Sequence, residues 1–144
     1  MLCQYWGIIT VIRILVIDDD EGVRAMLQRM LEREDYEVSV AVDGLDAERW
    51  LREETFDIVI TDILMPDKEG IETIIDLRKH HATTKIIAIS GGGRGGPEHY
   101  LRSAKSFGAN RTFAKPFDCD EMLAAIKELS CGRRDELTSL SVKR

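Results

Sequence analysis

The sequence is poor in the residues that build disulfide-stapled or proline-rich proteins. It has 3 cysteines, 3 prolines and 6% aromatic residues among 144 positions. Cys3, Cys119 and Cys131 are far apart and form neither a CxxC motif nor a metal-binding spacing with a histidine. We therefore expect free thiols and a reducing, cytoplasmic location.

Long apolar runs are also missing. The apolar stretch at residues 5–12 ends at Arg13 and is much shorter than the about 20 residues that a membrane-spanning helix needs. It lacks the cationic start and the small-residue cleavage site of a signal peptide. We expect no membrane association and interpret residues 1–11 as an N-terminal extension.

The sequence also has no excess of positive charge. The net charge is −6, and the basic residues are scattered along the chain. This balance argues against nucleic acid or an anionic membrane as a partner. A metal ion or a basic protein surface is the partner that the charge favours.

Short apolar runs that end in aspartate are what the sequence does contain. Three consecutive aspartates, residues 18–20, follow the run at 14–17, and Asp62 follows the run at 58–61. Such runs are typical of buried strands in a parallel sheet, where function gathers at the carboxyl ends. Several carboxylates in one cleft repel each other unless a cation lies between them, and Mg²⁺ prefers oxygen ligands.

Strand and helix patterns alternate along the whole chain. Five βα units in series predict an α/β fold, a doubly wound parallel sheet with right-handed crossovers and helices on both faces. We expect one domain over residues 12–130 and a flexible polar tail over 131–144. The predicted strands are 12–17, 38–42, 57–61, 85–89 and 111–114, and helices begin near residues 22, 44, 71, 97 and 119.

The strand ends bring together a set of residues suited to phosphoryl transfer. Asp18 and Asp19 follow the first strand, Asp62 the third, Ser90 the fourth and Lys115 the fifth. A carboxylate can accept a phosphoryl group, while a metal ion, an ammonium and a hydroxyl neutralise or bind its oxygens. The sequence therefore predicts this chemistry at one edge of the sheet.

These residues lie in the segments ILVIDDD, DIVITDILMPDKEG, AISG and GANRTFAKPF. In this order, the segments resemble the receiver domain of bacterial two-component response regulators, especially single-domain, chemotaxis-regulator-like members. The resemblance covers residues 12–130. It implies a flavodoxin-like (βα)5 sheet with strand order 2-1-3-4-5.

The resemblance also implies a role for each site residue. Asp62 would be the phosphoacceptor. Asp19 would bind Mg²⁺ directly and Asp18 directly or through water, with the backbone carbonyl of Leu64 as a further ligand. Mn²⁺ could replace Mg²⁺. Asp20 would be a flanking acid in the first turn of the helix, stabilised by the helix dipole.

For the phosphoryl oxygens, the resemblance implies binding by Ser90 and Lys115. It also implies a cis peptide bond between Lys115 and Pro116, which is a specific expectation because cis bonds are rare even before proline.

One position departs from the family pattern. Three residues before Lys115, most receivers carry a tyrosine or phenylalanine that moves inward on activation, and this chain has Thr112. Phe113 is one position away and should face the other side of its strand. The signal would then pass through Ser90 and the glycine-rich segment 91–96, beginning at Gly91, which is either a switch segment or a plain connector.

The predicted function is that of a stand-alone response regulator. It would take a phosphoryl group from a histidine kinase or a histidine phosphotransfer protein and act through a downstream protein target or a phosphorelay. The residues after the last helix are too few for a DNA-binding domain. A phosphorylation-dependent dimer is compatible with this interpretation. The chain would not be an enzyme beyond its own phosphorylation and slow dephosphorylation.

Two alternatives stay open. A pseudo-receiver scaffold would work without phosphorylation, and the departure at Thr112 keeps it open although every chemical residue is present. A Mg²⁺-dependent phosphohydrolase would typically place a second acid two residues after its nucleophile, where this chain has Leu64.

Overall fold

The computed structural model describes residues 2–5, 8–64, 70–91 and 96–142, and within these ranges it describes the side chains of residues 11–131. The strands are β1 Leu2–Tyr5, β2 Ile8–Val11, β3 Arg13–Ile17, β4 Glu37–Ala41, β5 Ile58–Asp62, β6 Lys85–Ser90 and β7 Arg111–Ala114. The helices are α1 Glu21–Glu32, α2 Gly44–Glu53, α3 Gly70–His80, α4 Pro97–Ser106 and α5 Cys119–Val142.

Five of the strands form one parallel sheet in the order β4-β3-β5-β6-β7. Counted along the chain within this sheet, the order is 2-1-3-4-5, which confirms the predicted flavodoxin-like topology. The register pairs Ile17 with Thr61 and Asp62 with Ile89. The carboxyl ends of β3, β5 and β6 therefore lie side by side at one edge of the sheet.

Apolar side chains bury both faces of the sheet. Alternate strand residues such as Leu15 and Val59 pack with α2, α3 and α4, whereas Ile14 and Ile60 pack with α1 and α5. All five residues of β5 are buried, as expected for the central strand of a sheet covered on both sides. The two apolar layers hold the strand ends in fixed positions.

Helix ends follow the capping residues in the sequence. The Asp20 side chain accepts a hydrogen bond from the N–H of Val23 and caps α1, so the flanking acid is an N-cap. Pro97 occupies the first turn of α4, and Gly108 follows the helix with φ of 121°. Asp118 accepts from two N–H groups at the start of α5. These caps confirm the predicted helix starts and the glycine stop.

The structure differs from the sequence prediction near both termini. β1 and β2 form a separate antiparallel pair, because residues 8–11 are rich in β-branched side chains that favour strands. The last helix continues to Val142, beyond residue 130. Residues 131–142 contain no proline, and their arginine, glutamate and leucine residues favour helix, while Gly132 does not. The predicted domain boundaries at residues 11 and 130 remain expectations.

None of the helices in the described ranges is both long enough and apolar enough to cross a membrane.

Candidate functional site

Three carboxylates meet at the edge of the sheet. Asp18 and Asp19 follow β3, and Asp62 is the last residue of β5, the next strand in the sheet. One oxygen from each side chain lies within 4.8 Å of the others. Asp18 is fully buried and Asp62 is 5% exposed, while Asp19 is open to solvent. The cluster thus has a closed base and an open side.

Lys115 joins two of these carboxylates. It follows β7, and its Nζ donates to Asp18 Oδ2 at 2.8 Å and to Asp62 Oδ2 at 3.3 Å. The peptide bond between Lys115 and Pro116 is cis, as the family resemblance implied. The ammonium therefore lies between two negative charges that would otherwise repel each other.

The environment disfavours charge on Asp62. Burial raises the pKa of its carboxyl above the ordinary value, and the charge of Asp18 raises it further. The charge and hydrogen bond of Lys115 and the N–H of Leu64 lower the pKa but do not cancel the rise. Leu64 N–H donates to Asp62 Oδ1 at 3.3 Å. A further positive charge at the open side would relieve this imbalance.

The pKa of Lys115 is raised. Burial by itself would lower it, but the hydrogen bond to Asp18 and the charges of Asp62 and Asp18 outweigh burial. The lysine consequently stays protonated at the bottom of the cleft, where it can hold an anionic group.

Ser90 is the last residue of β6, next to β5, and is fully buried. Its hydroxyl has no hydrogen-bond partner within the described part of the chain. Buried hydroxyls are paired in most proteins, so an unpaired one at a strand end is a candidate ligand contact. Its position beside Asp62 is consistent with binding an oxygen of a group carried there.

Gly70 permits a close contact behind the acceptor strand. A Cβ at this position would lie 2.2 Å from the carbonyl oxygen of Asp62 and 2.5 Å from the Cα of Ile63. The Gly70 N–H donates to the Ile63 carbonyl at 2.9 Å. Only glycine fits at this contact, which brings the start of α3 against the end of β5. Residues 65–69, in the predicted loop before α3, lie outside the described residues.

Of the two predicted switch positions, Gly91 lies against Lys115, whereas Thr112 lies on the edge strand β7. Gly91 is exposed, and a Cβ there would contact Lys115 Cδ at 3.3 Å. Thr112 is half-buried and pairs with Ala88 on the side of α4. Phe113 packs against Phe117 on the opposite side, as expected from strand alternation. Residues 92–95 of the glycine-rich segment lie outside the described residues.

Sequence reasoning missed one residue at this site. Arg24 on α1 donates from Nη1 to the backbone carbonyl of Asp18 at 2.7 Å. The sequence does not indicate this contact, because an arginine on a helix surface near an acidic turn has no distinguishing motif.

Comparison with known proteins decides the family. The model of the family described as response regulator receiver domain matches residues 14–127. The chain belongs to this receiver domain family. The match includes the three clustered aspartates, Ser90 and Lys115.

Two curated relatives illustrate how receiver domains are used. The chain is 31% identical over 116 residues to sporulation initiation phosphotransferase F of Bacillus subtilis, covering 81% of this chain and 91% of that protein. It is 33% identical over 117 residues to the transcriptional regulatory protein CpxR of Escherichia coli, covering 81% of this chain and 48% of that protein. The chain thus spans most of the first relative and about half of the second.

Solved structures agree on the fold. A CheY-like receiver domain protein from Methanospirillum hungatei superposes with a TM-score of 0.79 at 28% identity, covering 88% of this chain and 99% of that chain. The response regulator TrrA from Thermotoga maritima, solved in complex with Mg²⁺-BeF, gives a TM-score of 0.74 at 33% identity, covering 83% and 99%.

Membership of the family establishes the general role. A receiver domain is a phosphoacceptor signalling domain of a two-component system and is mainly non-enzymatic. It implies a histidine kinase or a phosphotransfer protein as partner.

Proposed function

We propose that this receiver accepts a phosphoryl group on Asp62 from a phosphohistidine of a histidine kinase or phosphotransfer protein, in a Mg²⁺-dependent reaction. The observation that carries the proposal is Lys115 Nζ, which contacts the Asp62 and Asp18 carboxylates. Beside them lies the buried hydroxyl of Ser90, which has no hydrogen-bond partner among the described residues. A nucleophile, a cation and a hydrogen-bond donor thus meet at one open cleft.

The acidic cluster fits a hard divalent cation. Asp18, Asp19 and Asp62 offer three oxygens within 4.8 Å, and the backbone carbonyl of Leu64 would supply a fourth. Mg²⁺, or Mn²⁺ in its place, would neutralise charge on the transferring phosphoryl group. The pKa of Asp62 is raised by burial and then by the charge of Asp18, and a cation bound at the cluster would offset both effects.

In the proposed reaction, an oxygen of ionised Asp62 attacks phosphorus and forms an acyl phosphate. The bond between phosphorus and the histidine nitrogen breaks, and its electron pair returns to the imidazole. Lys115 Nζ exchanges its contact with Asp62 Oδ2 for a phosphoryl oxygen, and Ser90 donates its hydroxyl proton in a hydrogen bond to another. Slow attack by water on phosphorus would restore Asp62 and release inorganic phosphate.

The proposed output is a protein contact or a further phosphoryl transfer. The B. subtilis relative is named a phosphotransferase, which supports a relay, whereas CpxR is named a transcriptional regulator. The resemblance implies a signalling face formed by α4, β7 and α5. With net charge −6, the chain favours a protein partner over nucleic acid. A phosphorylation-dependent dimer on this face belongs to the same proposal.

A phosphoryl mimic tests the proposal without a partner protein. Beryllofluoride with Mg²⁺ should shift the backbone amide NMR signals of Ser90, Gly91 and Lys115 in the native protein, and Asp62→Asn should abolish these shifts. Asp35→Asn is the matched control, because Asp35 is exposed with φ of 63°, which asparagine also tolerates. Shifts in Asp62→Asn would contradict the proposal. Mg²⁺ binding without any response to beryllofluoride would favour a pseudo-receiver scaffold.

A further inference from the structure

A side chain from α1 holds the turn that carries two of the clustered carboxylates. Arg24 Nη1 donates to the main-chain carbonyl of Asp18 at 2.7 Å, from six residues further along the chain. Arg24 is half-buried, so solvent competes only in part for this hydrogen bond. A charged donor makes the contact stronger than an ordinary amide hydrogen bond.

This hydrogen bond acts on both acidic side chains at once. The carbonyl of Asp18 belongs to the planar peptide that joins Asp18 to Asp19. Fixing its oxygen fixes the plane of this peptide and hence the directions in which both side chains leave the backbone. The Asp18 N–H is held by the Ala41 carbonyl at 3.2 Å, and its carboxylate accepts the Asp20 N–H at 2.9 Å. Arg24 adds a third hydrogen bond at Asp18, to its carbonyl oxygen.

We infer that Arg24 is a positioning residue for the divalent cation, acting through the Asp18–Asp19 peptide. The inference rests on the proposed function, because it assigns to Arg24 part of the affinity of the acidic cluster for Mg²⁺. Groups that orient metal ligands without touching the metal typically change its affinity about 10- to 100-fold when they are removed.

Because Arg24 is positively charged, the direction in which the Mg²⁺ affinity changes on its removal distinguishes the possible roles. A cation near the cluster repels Mg²⁺, so a purely electrostatic role predicts tighter Mg²⁺ binding when the guanidinium is removed. Positioning predicts the opposite, because a turn free to rotate its peptide presents Asp18 and Asp19 poorly. A purely structural role predicts lower stability with unchanged affinity.

Calorimetric titration with Mg²⁺ distinguishes these roles. The variants are Arg24→Met, which keeps the apolar stem but has no donor, and Arg24→Lys, which keeps the charge but lacks the planar fork. Arg29→Met is the matched control, since Arg29 is an exposed arginine on the same helix. Thermal unfolding of each variant without metal gives its stability separately.

We expect the dissociation constant for Mg²⁺ to rise about tenfold in Arg24→Met, by a smaller factor in Arg24→Lys, and not at all in Arg29→Met. Raising the Mg²⁺ concentration to saturation should then restore phosphorylation of Arg24→Met by acetyl phosphate. An affinity of Arg24→Met within about twofold of the native protein, or tighter than it, would overturn the inference whatever its stability.

If Arg24→Met does not fold, the Mg²⁺ affinity of Arg24→Lys tests the inference. In that case an unchanged Mg²⁺ affinity in Arg24→Lys overturns the inference, and a weakened one supports it. Failure of the native protein and of Arg29→Met to bind Mg²⁺ would overturn the metal site of the proposed function as well. Normal binding in all variants would overturn only the role of Arg24.

Discussion

Asp62 lies where its own ionisation is unfavourable, since burial and the charge of Asp18 raise its pKa. A carboxyl with a raised folded-state pKa lowers the stability of the fold as pH rises from its ordinary pKa to the folded-state pKa, because over this range the unfolded chain has already lost the proton. Without metal, Asp62→Asn should therefore be more stable than the native protein at neutral pH. The difference should shrink as pH falls through the folded-state pKa and vanish below the ordinary value of 3.8.

Urea unfolding across this pH range, with a chelator present, measures the difference between the two proteins. A difference in unfolding free energy that does not change with pH, or a less stable asparagine variant, would contradict this account of Asp62.

Substitution of Ser90 should impair phosphorylation without lowering stability. Its hydroxyl is buried and has no hydrogen-bond partner among the described residues. Ser90→Ala removes no hydrogen bond to a described residue, so we expect the free energy of unfolding to change by less than about 0.5 kcal/mol. The rate of phosphorylation by acetyl phosphate should fall about tenfold, since a donor to the transferring group is lost. A large loss of stability with unchanged phosphorylation would show that the hydroxyl has a structural role instead.

Gly70 tests the contact behind the acceptor strand. In Gly70→Ala, the added Cβ would lie 2.2 Å from the Asp62 carbonyl oxygen, a backbone atom that cannot move alone. We expect a loss of about 1–3 kcal/mol in unfolding free energy together with slower phosphorylation of Asp62. Gly22→Ala is the control, because Gly22 lies in α1, where alanine is favoured, and its nearest contact is the Asp20 side chain. Equal stabilities of the two variants would contradict this description.

Among the helices, α3 is tied to the loop before β7 by Arg78. Its Nε donates to the Gly108 carbonyl at 2.9 Å, Nη1 to the Thr84 carbonyl at 2.7 Å and Nη2 to Asn110 Oδ1 at 2.7 Å. Arg78→Met would remove all three hydrogen bonds, although Asn110 Oδ1 would keep a backbone N–H donor from β6. We expect it to lower the unfolding free energy by about 2–3 kcal/mol. Lys79→Met, on the exposed side of α3, should change it by less than about 0.5 kcal/mol. Unfolding in guanidinium chloride measures the stability of both variants. Similar losses of unfolding free energy in Arg78→Met and Lys79→Met would contradict the role of Arg78 in tying α3 to this loop.

Elements with a strong hydrophobic period were predictable from the sequence. The sequence predicted β3, β5, β6 and α1 to within a few residues of their ends. Strands buried on both faces appear as short continuous apolar runs, and the apolar face of α1 appears as a helical period. The pairing of β1 with β2 was not predicted, since it depends on contacts between two short strands. The continuation of α5 to Val142 was missed because residues 131–142 are polar and show no apolar face.

For the molecule as a whole, the topology explains why the cluster was predictable. Strand ends of a parallel sheet meet at one edge, so the residue types after each strand predict what will meet there. The structure brings Asp18, Asp19, Asp62, Ser90 and Lys115 to this edge, and their roles remain proposals. The contact of Arg24 was not visible, because it depends on how a turn leaves β3 and on the rotation of α1 about its axis.

The central claim is that Asp62 carries the phosphoryl group, and intact mass spectrometry after incubation with acetyl phosphate tests it most directly. The native protein with Mg²⁺ should gain the mass of one phosphoryl group in an acid-stable, base-labile adduct, and lose the gain with a chelator. Asp62→Asn should gain nothing under the same conditions. An equal gain in Asp62→Asn, or a gain independent of divalent cation, would contradict the claim.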